Sequence, residues 1–314
     1  MKSKVFILLI CVQIVVITFL FFQIQYKSNN TLGVSVNTID SKTIKKTPRG
    51  GLKYFYEPKA NTIEKVNEWG PNKGTYTINN DSLNERFNYS ENKDKNTFRI
   101  ITLGASYTYG LYVDTKNNWT EILEDILNSS GCNKKIEVIN LGVHGYDPTY
   151  EVERYKIRGI KYNPDLIIWF LSDPDTITEL INEYIQKNHE RLKKQGVNIN
   201  SYEPWLLAKQ EIQKTYGENG IFEYQLKALK KINNLYRGEI LFIVQKTESN
   251  NKPFPYMYKF KNERVNTEIY EIVNIDDNPQ LHFLTDPHPN ITGHKVIAED
   301  VYDYIKKSNI IHCK

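Results

Sequence analysis

The sequence predicts an α/β domain in which a central parallel sheet carries helices on both faces. Two observations carry this. After Asn96, short apolar runs alternate with longer stretches of helical periodicity, and the segments between them hold glycine, proline and asparagine at the expected turns. Strands are expected near residues 98–103, 136–141, 165–171 and 240–245.

The first of these, Phe98-Arg99-Ile100-Ile101-Thr102-Leu103, is apolar at nearly every position, as a strand buried on both faces must be. It ends in Gly104-Ala105-Ser106. Trp119, Ile122, Leu123, Ile126 and Leu127 then recur at helical spacing, and Pro148 to Ile160 reads as a second helix. Asn163-Pro164-Asp165 turns the chain into the third strand. Residues 176–236 read as mostly helical but are interrupted at Gly196 and at Gly217 to Gly220, which is long for one crossover and predicts a helical side lobe. A final helix starts near Asn290, with Ile291, Val296, Ile297, Val301 and Ile305 on its apolar side.

Upstream of the sheet the composition changes twice. Lys2 and Lys4 precede an apolar run from Val5 to Phe22 broken only by Gln13 and Thr18, long enough to span a bilayer as a helix. Phe21-Phe22-Gln23-Ile24-Gln25 offers no small-residue cleavage step, so an uncleaved anchor is expected, with a cytoplasmic N-terminus and the rest of the chain outside the membrane. From Lys27 to about Asn96, Asn, Lys, Thr, Ser and Gly dominate, but Tyr54, Tyr56, Trp69, Tyr76 and Phe87 are too many aromatics for a plain linker. The expected order is a cytoplasmic tail at 1–4, an anchor at 5–23, a stalk and irregular cap at 24–75, and the main domain at 76–314.

Composition narrows the function classes. A net charge of +4, from 41 basic and 37 acidic residues spread along the chain, supplies no basic stripe for nucleic acid. Cys11 lies in the apolar run, and neither it nor Cys132 or Cys313 has metal-ligand spacing, so no cofactor is expected. Outside the membrane Cys132 and Cys313 have one pairing open to them, and the sequence leaves both that bridge and two free thiols standing. Asp173, Asp175, Asp276 and Asp277 form a weaker, acidic alternative for a metal site.

Three segments carry chemistry. A serine hydroxyl attacks well only when a base removes its proton, and Ser106 stands where a buried strand turns into a helix, a place where an ordinary cap also occurs. Thr285-Asp286-Pro287-His288-Pro289-Asn290 brings an aspartate beside a histidine, the pairing that holds an imidazole in the tautomer able to accept a serine proton. Asn140-Leu141-Gly142-Val143-His144-Gly145 follows the second strand and offers backbone N–H groups beside glycine to a developing negative charge. His144 reads as a loop residue and His294 as packing in the last helix, while His189, His282 and His312 lack catalytic spacing.

In this arrangement the chain resembles the SGNH (GDSL-type) esterase and acylhydrolase superfamily in its membrane-anchored bacterial form. Leu103-Gly104-Ala105-Ser106-Tyr107-Thr108-Tyr109-Gly110, Asn140-Leu141-Gly142, and Asp286-Pro287-His288-Pro289-Asn290 with Gly293-His294 match its blocks over residues 76–307. The resemblance implies a three-layer α/β/α sandwich and metal-free ester hydrolysis through an acyl-serine. Ser106 would be the nucleophile, His288 the base and Asp286 its orienting group, with Ser106, Gly142 and Ser172 at the oxyanion hole. Three positions depart from the pattern: Gly-Ala-Ser replaces Gly-Asp-Ser, Ser172 stands where an Asn is usual, and one residue rather than two separates Asp286 from His288.

Two functions of different class follow as expectations. One is an ester hydrolase or O-acyltransferase acting on acylated, for example acetylated, cell-envelope or secreted glycans, with Tyr202, Trp205, Phe254, Tyr256 and Tyr258 as candidate sugar-stacking faces and residues 247–280 shaping the pocket with the lobe. The other, motivated by Ser172, is a catalytically degenerate member that binds a glycan or a protein partner.

Overall fold

In the computed structural model, residues 38–40, 47–66, 72–173, 176–199, 201–246 and 254–313 are described. The expected anchor at 5–23 lies outside them, as does Trp69, and among the described residues no helix is long and apolar enough to cross a membrane.

The five-stranded central sheet runs Thr267–Ile272, Glu239–Gln245, Leu166–Phe170, Thr97–Gly104, Lys135–Asn140 from edge to edge, and every pair is parallel. Four of these strands sit where the sequence places them. The fifth, Thr267–Ile272, falls in a stretch expected to be loop. Its sequence, Thr-Glu-Ile-Tyr-Glu-Ile, gives a weak signal because only Thr267 and Ile272 are buried on this sheet edge.

Side-chain alternation along the strands divides the core in two. Ile101, Leu103, Ile167 and Trp169 face one layer with Leu226, Leu229, Met257 and Phe260, from helices Glu203–Lys231 and Pro255–Glu263. Ile100, Ile168 and Phe170 face the other with Trp119, Leu123, Ile297 and Val301, from helices Trp119–Ser129 and Ile291–Ser308. The result is the three-layer sandwich. Ile291 does not join the last helix's apolar side: it is 55% exposed, one residue after the Asn290 cap and short of the face that meets the sheet.

The lobe is smaller than its expected 176–236 span. Helix Thr178–Lys194 and the first half of Glu203–Lys231 enclose a separate cluster of Ile177, Ile181, Ala208 and Ile212. Gly217, at φ 60° and ψ 175°, breaks the long helix, and the second half packs on the sheet. The expected helix from Pro148 is regular only to Arg154, after which Tyr155–Gly159 winds more widely.

The cap is not irregular. Thr47–Arg49 pairs with Leu52–Phe55, and Gly74–Ile78 pairs with Thr62–Val66. Leu52, Phe55 and Tyr56 pack on Val143, Tyr146 and Tyr150, while Tyr76 and Ile78 pack on Tyr109, Leu111 and Tyr112. Its aromatic residues therefore brace the loops at the carboxyl end of the sheet. A disulfide joins Cys132, just after helix Trp119–Ser129, to Cys313, with Cα atoms 5.0 Å apart.

A buried acidic cluster ties the segment after the cap to the sheet. Glu85 accepts from the Asn140 amide, Glu124 accepts from the Val138 amide at 2.7 Å and from the Tyr89 hydroxyl at 2.8 Å, and Arg86 pairs with Glu121. Burial, and then the charge of Glu121, push Glu124 up to about 8 from an ordinary 4.5. The native state thus holds a proton that the unfolded chain has released. Its stabilising effect is complete below about pH 4.5 and is lost as pH rises through about 8. Glu124→Gln is therefore expected to melt like the wild type at about pH 4 and to be more stable by at least about 1 kcal/mol at about pH 9. Parallel melting curves for the two proteins across that range would sink this account.

Candidate active site

Chain order in the sheet reverses between Thr97–Gly104 and Leu166–Phe170, so the loops leaving their carboxyl ends diverge and open a crevice, the usual site of chemistry in such sheets. Ser106 follows the first of these strands and Ser172 the second.

Gly104 makes the exit from the strand possible. It adopts φ +152°, and a Cβ there would lie 2.2 Å from Thr108 Oγ1 and 2.8 Å from the Phe170 carbonyl oxygen. No side chain fits. Ala105 takes the cap position of the short helix Ser106–Tyr109, so Ser106 is its first residue and not its cap. The Ser106 hydroxyl points instead at His288, donating to Nε2 at 2.8 Å.

His288 and Asp286 lie on the short strand Asp286–Pro289, which pairs with His282–Phe283. Residues two apart on a strand share a face, so the single-residue spacing is the one a strand requires. Asp286 Oδ1 accepts from the His288 backbone N–H at 2.9 Å and from the ring Nδ1–H. With the Nδ1 proton held there, Nε2 presents a lone pair to the serine. Burial raises the Asp286 pKa, but the hydrogen bond and charge of His288 outweigh it and hold the carboxyl below its ordinary 3.8. Asn290 locks the turn, donating to the His282 carbonyl at 2.8 Å and accepting from Gly293 N–H at 3.0 Å as the cap of the last helix.

Two tyrosines wall the imidazole. The Tyr107 ring lies 5.3 Å from it and the Tyr112 ring meets it edge-on at 5.6 Å. Tyr112 holds φ 71°, a conformation that costs a bulky residue energy and that its contacts with Tyr76 and Phe283 enforce. Sequence spacing gave no hint of Tyr112, and Asp276, expected only in an acidic metal site, meets the Tyr107 hydroxyl from 169 residues away.

At Gly142, expected at the oxyanion hole, the N–H donates to Asn140 Oδ1 at 2.8 Å, two residues earlier. A Cβ at this position would lie 2.5 Å from the Tyr109 nitrogen and 2.7 Å from the Thr108 carbonyl carbon, so glycine serves close packing behind the serine helix. Ser172 is half-buried, two residues past Phe170, which pairs with Gly104. Asp173 beside it is bonded by Lys209 of the lobe at 3.1 Å.

The other candidates separate cleanly. His294 is fully buried and accepts from the Trp119 N–H at 3.2 Å, and burial, then the neighbouring His288, push its pKa down to about 3, leaving a neutral structural ring. His189 lies beside Glu190 and His282 against its neighbouring backbone carbonyl. Phe254 and Tyr256 are core residues, not sugar platforms, whereas Tyr202 is 45% exposed and Trp205 borders Gly145. Asp173 is committed to Lys209, Asp276 to Tyr107 and Gln245, and Asp277 to Asn274; among the described residues no cluster could hold a metal, and Asp175 lies outside them.

Adding one methyl group at Gly142 should press on the backbone that presents Ser106. Gly142→Ala is expected to cost about 1–3 kcal/mol of stability, read as a lower Tm, and to lower reactivity at Ser106 in step. Wild-type melting would contradict the packing described.

No family model matches the chain, and no curated protein matches it in sequence. Its structure is similar to solved esterases. An inhibited psychrotrophic esterase from Pseudoalteromonas sp. is 15% identical over 68% of this chain and 99% of its own, at a TM-score of 0.41. An acetyl xylan esterase is 14% identical over 66% of this chain and 100% of its own, at 0.42. A two-domain esterase active on acetylated mannans is 14% identical over 68% of this chain and 50% of its own, at 0.45.

Proposed function

We propose that the chain is a serine ester hydrolase or O-acyltransferase of the SGNH type, and that Ser106, His288 and Asp286 are its nucleophile, base and orienting group. The Ser106–His288 contact of 2.8 Å, backed by Asp286 on the far ring nitrogen, is the observation that carries this. His288 Nε2 takes the hydroxyl proton as Ser106 Oγ bonds to the ester carbonyl carbon. The carbonyl pair moves onto oxygen, stabilised by the Ser106 N–H and the Ser172 hydroxyl, two of the three groups expected at the oxyanion hole. Collapse expels the alcohol, which receives the proton from His288, and leaves an acyl-serine. Water or a sugar hydroxyl then attacks this acyl group by the same route, giving hydrolysis or transfer.

Placement outside the membrane and an acylated-glycan substrate extend the same proposal. The apolar run Val5 to Phe22 supports the first, and the exposed Tyr202, with Trp205 beside Gly145 in the loop after strand Lys135–Asn140, supports the second. The engaged Gly142 amide and the serine at 172 favour a second reading, a glycan-binding protein without turnover.

A fluorophosphonate probe and nitrophenyl acetate distinguish the readings. The first expects labelling at Ser106 and acetate release, with kcat lower by at least about 10⁴-fold in Ser106→Ala and by about 100-fold in Ser172→Ala. An unlabelled, correctly folded protein selects the second, and undiminished turnover in Ser106→Ala removes the serine from the mechanism. The depressed Asp286 pKa adds a pH expectation. Its carboxylate persists as pH falls until below its ordinary 3.8, so protonation of Asp286 should add no acid step to kcat/KM above that point.

A further inference from the structure

Tyr107 is the residue next to the serine, yet its hydroxyl reaches two other parts of the chain. It lies 2.7 Å from Asp276 Oδ1 and 2.9 Å from the carbonyl oxygen of Pro287, sharing one proton between the two acceptors. Pro287 is the residue between Asp286 and His288. Asp276 is itself held from the sheet: Gln245, the last residue of strand Glu239–Gln245, donates from Nε2 to Asp276 Oδ2 at 3.1 Å and accepts the Ile275 and Asp276 N–H groups at 2.7 and 3.2 Å. A continuous chain of hydrogen bonds thus runs from a central strand through Asp276 and Tyr107 to the loop that carries the base.

We propose that Tyr107 and Asp276 form a positioning pair that sets the Asp286–His288 strand at hydrogen-bond distance from Ser106, and this rests on the reading of Ser106 and His288 as nucleophile and base. The Asp286–Pro289 strand belongs to a two-stranded sheet and has no place in the central one, so nothing in the main ladder fixes its height above the serine helix. Tyr107 supplies that fixed point because it shares the serine's own short helix. Burial, followed by the Asp276 charge, pushes the tyrosine pKa far up, so it remains a donor at any assay pH. Its ring packs edge-on against Phe170 at 5.6 Å, a contact phenylalanine would keep, and Asp276 is an exposed loop residue. Removing either hydrogen-bonding group therefore leaves the core intact.

The test uses the full-length protein with Tyr107→Phe, Asp276→Ala and Asp276→Asn, the last keeping the Oδ1 acceptor. Two readouts are taken: steady-state turnover of nitrophenyl acetate, and the low-field proton resonance of His288 Nδ1–H. Displacing the base by about an ångström predicts a kcat lower by about 10–100-fold in Tyr107→Phe and Asp276→Ala with KM little changed. The double variant should lose no more than Tyr107→Phe alone, since Asp276 acts on the base-bearing strand only through the Tyr107 hydroxyl. Asp276→Asn, which keeps the Oδ1 acceptor for Tyr107 but sets an NH2 donor against Gln245 Nε2, should fall between wild type and Asp276→Ala, and the low-field resonance should broaden or vanish most in the two damaging variants. Wild-type kcat in Tyr107→Phe, or a resonance unchanged in both damaging variants, overturns the pair. Should the wild type turn over no ester at all, the functional reading fails while the resonance still decides the positioning pair.

Discussion

Everything at this site depends on how closely two neighbouring strands approach where their loops part. At Gly104 even a Cβ would come within 2.8 Å of the Phe170 carbonyl oxygen and 2.2 Å of Thr108 Oγ1. Because the chain must turn there without a side chain, the next residues are lifted out of the sheet, and Ser106 emerges with its hydroxyl unclaimed by its own helix. A bulkier junction would push the serine strand from its neighbour and open the crevice that should hold the substrate. The same intolerance recurs at Gly142, where the loop from the next strand passes behind the serine helix. Two glycines therefore fix the serine from opposite sides.

Around that rigid point the remaining groups are imported. His288, the proposed base, arrives on a small hairpin, with the Asp286 carboxylate two residues earlier on the same face. The aromatic walls come from the serine's own helix and from the turn that follows, and that turn is backed by Tyr76 of the cap. The cap is thus part of the site's support and not a spacer alone. Its small sheets fill the volume that the departing loops leave above the sheet, so the loops gain apolar contacts in a region where a parallel sheet offers none.

Much of this was legible in the sequence because the relevant signals were local. Apolar runs of the right length marked four strands, and Ser106, Asp286 and His288 stood out by their positions at strand ends and before a capped helix. What escaped were relations between distant segments. Nothing near Asp276 in sequence announces that its partner is Tyr107. The Gly142 amide was instead a local signal passed over, since an Asn two residues earlier can take it in an Asx turn. The edge strand Thr267–Ile272 was missed because an edge position needs few apolar residues. Phe254 and Tyr256 looked available because aromatic residues in a long insertion read alike whether they face solvent or core; burial is decided by the helix that carries them.

The Cys132–Cys313 bridge gives the last helix a second fixed end. Its first end is tied at Asn290 beside the base, its far end through Cys313 to the helix that follows the serine loop. The helix is accordingly a strut, and a strut transmits displacement along its length. Opening the bridge would free only the far end, since Ile297, Val301 and Ile305 still hold the helix on the sheet. Two remote sulfurs thus add stiffness to the helix whose Asn290 cap secures the turn carrying His288.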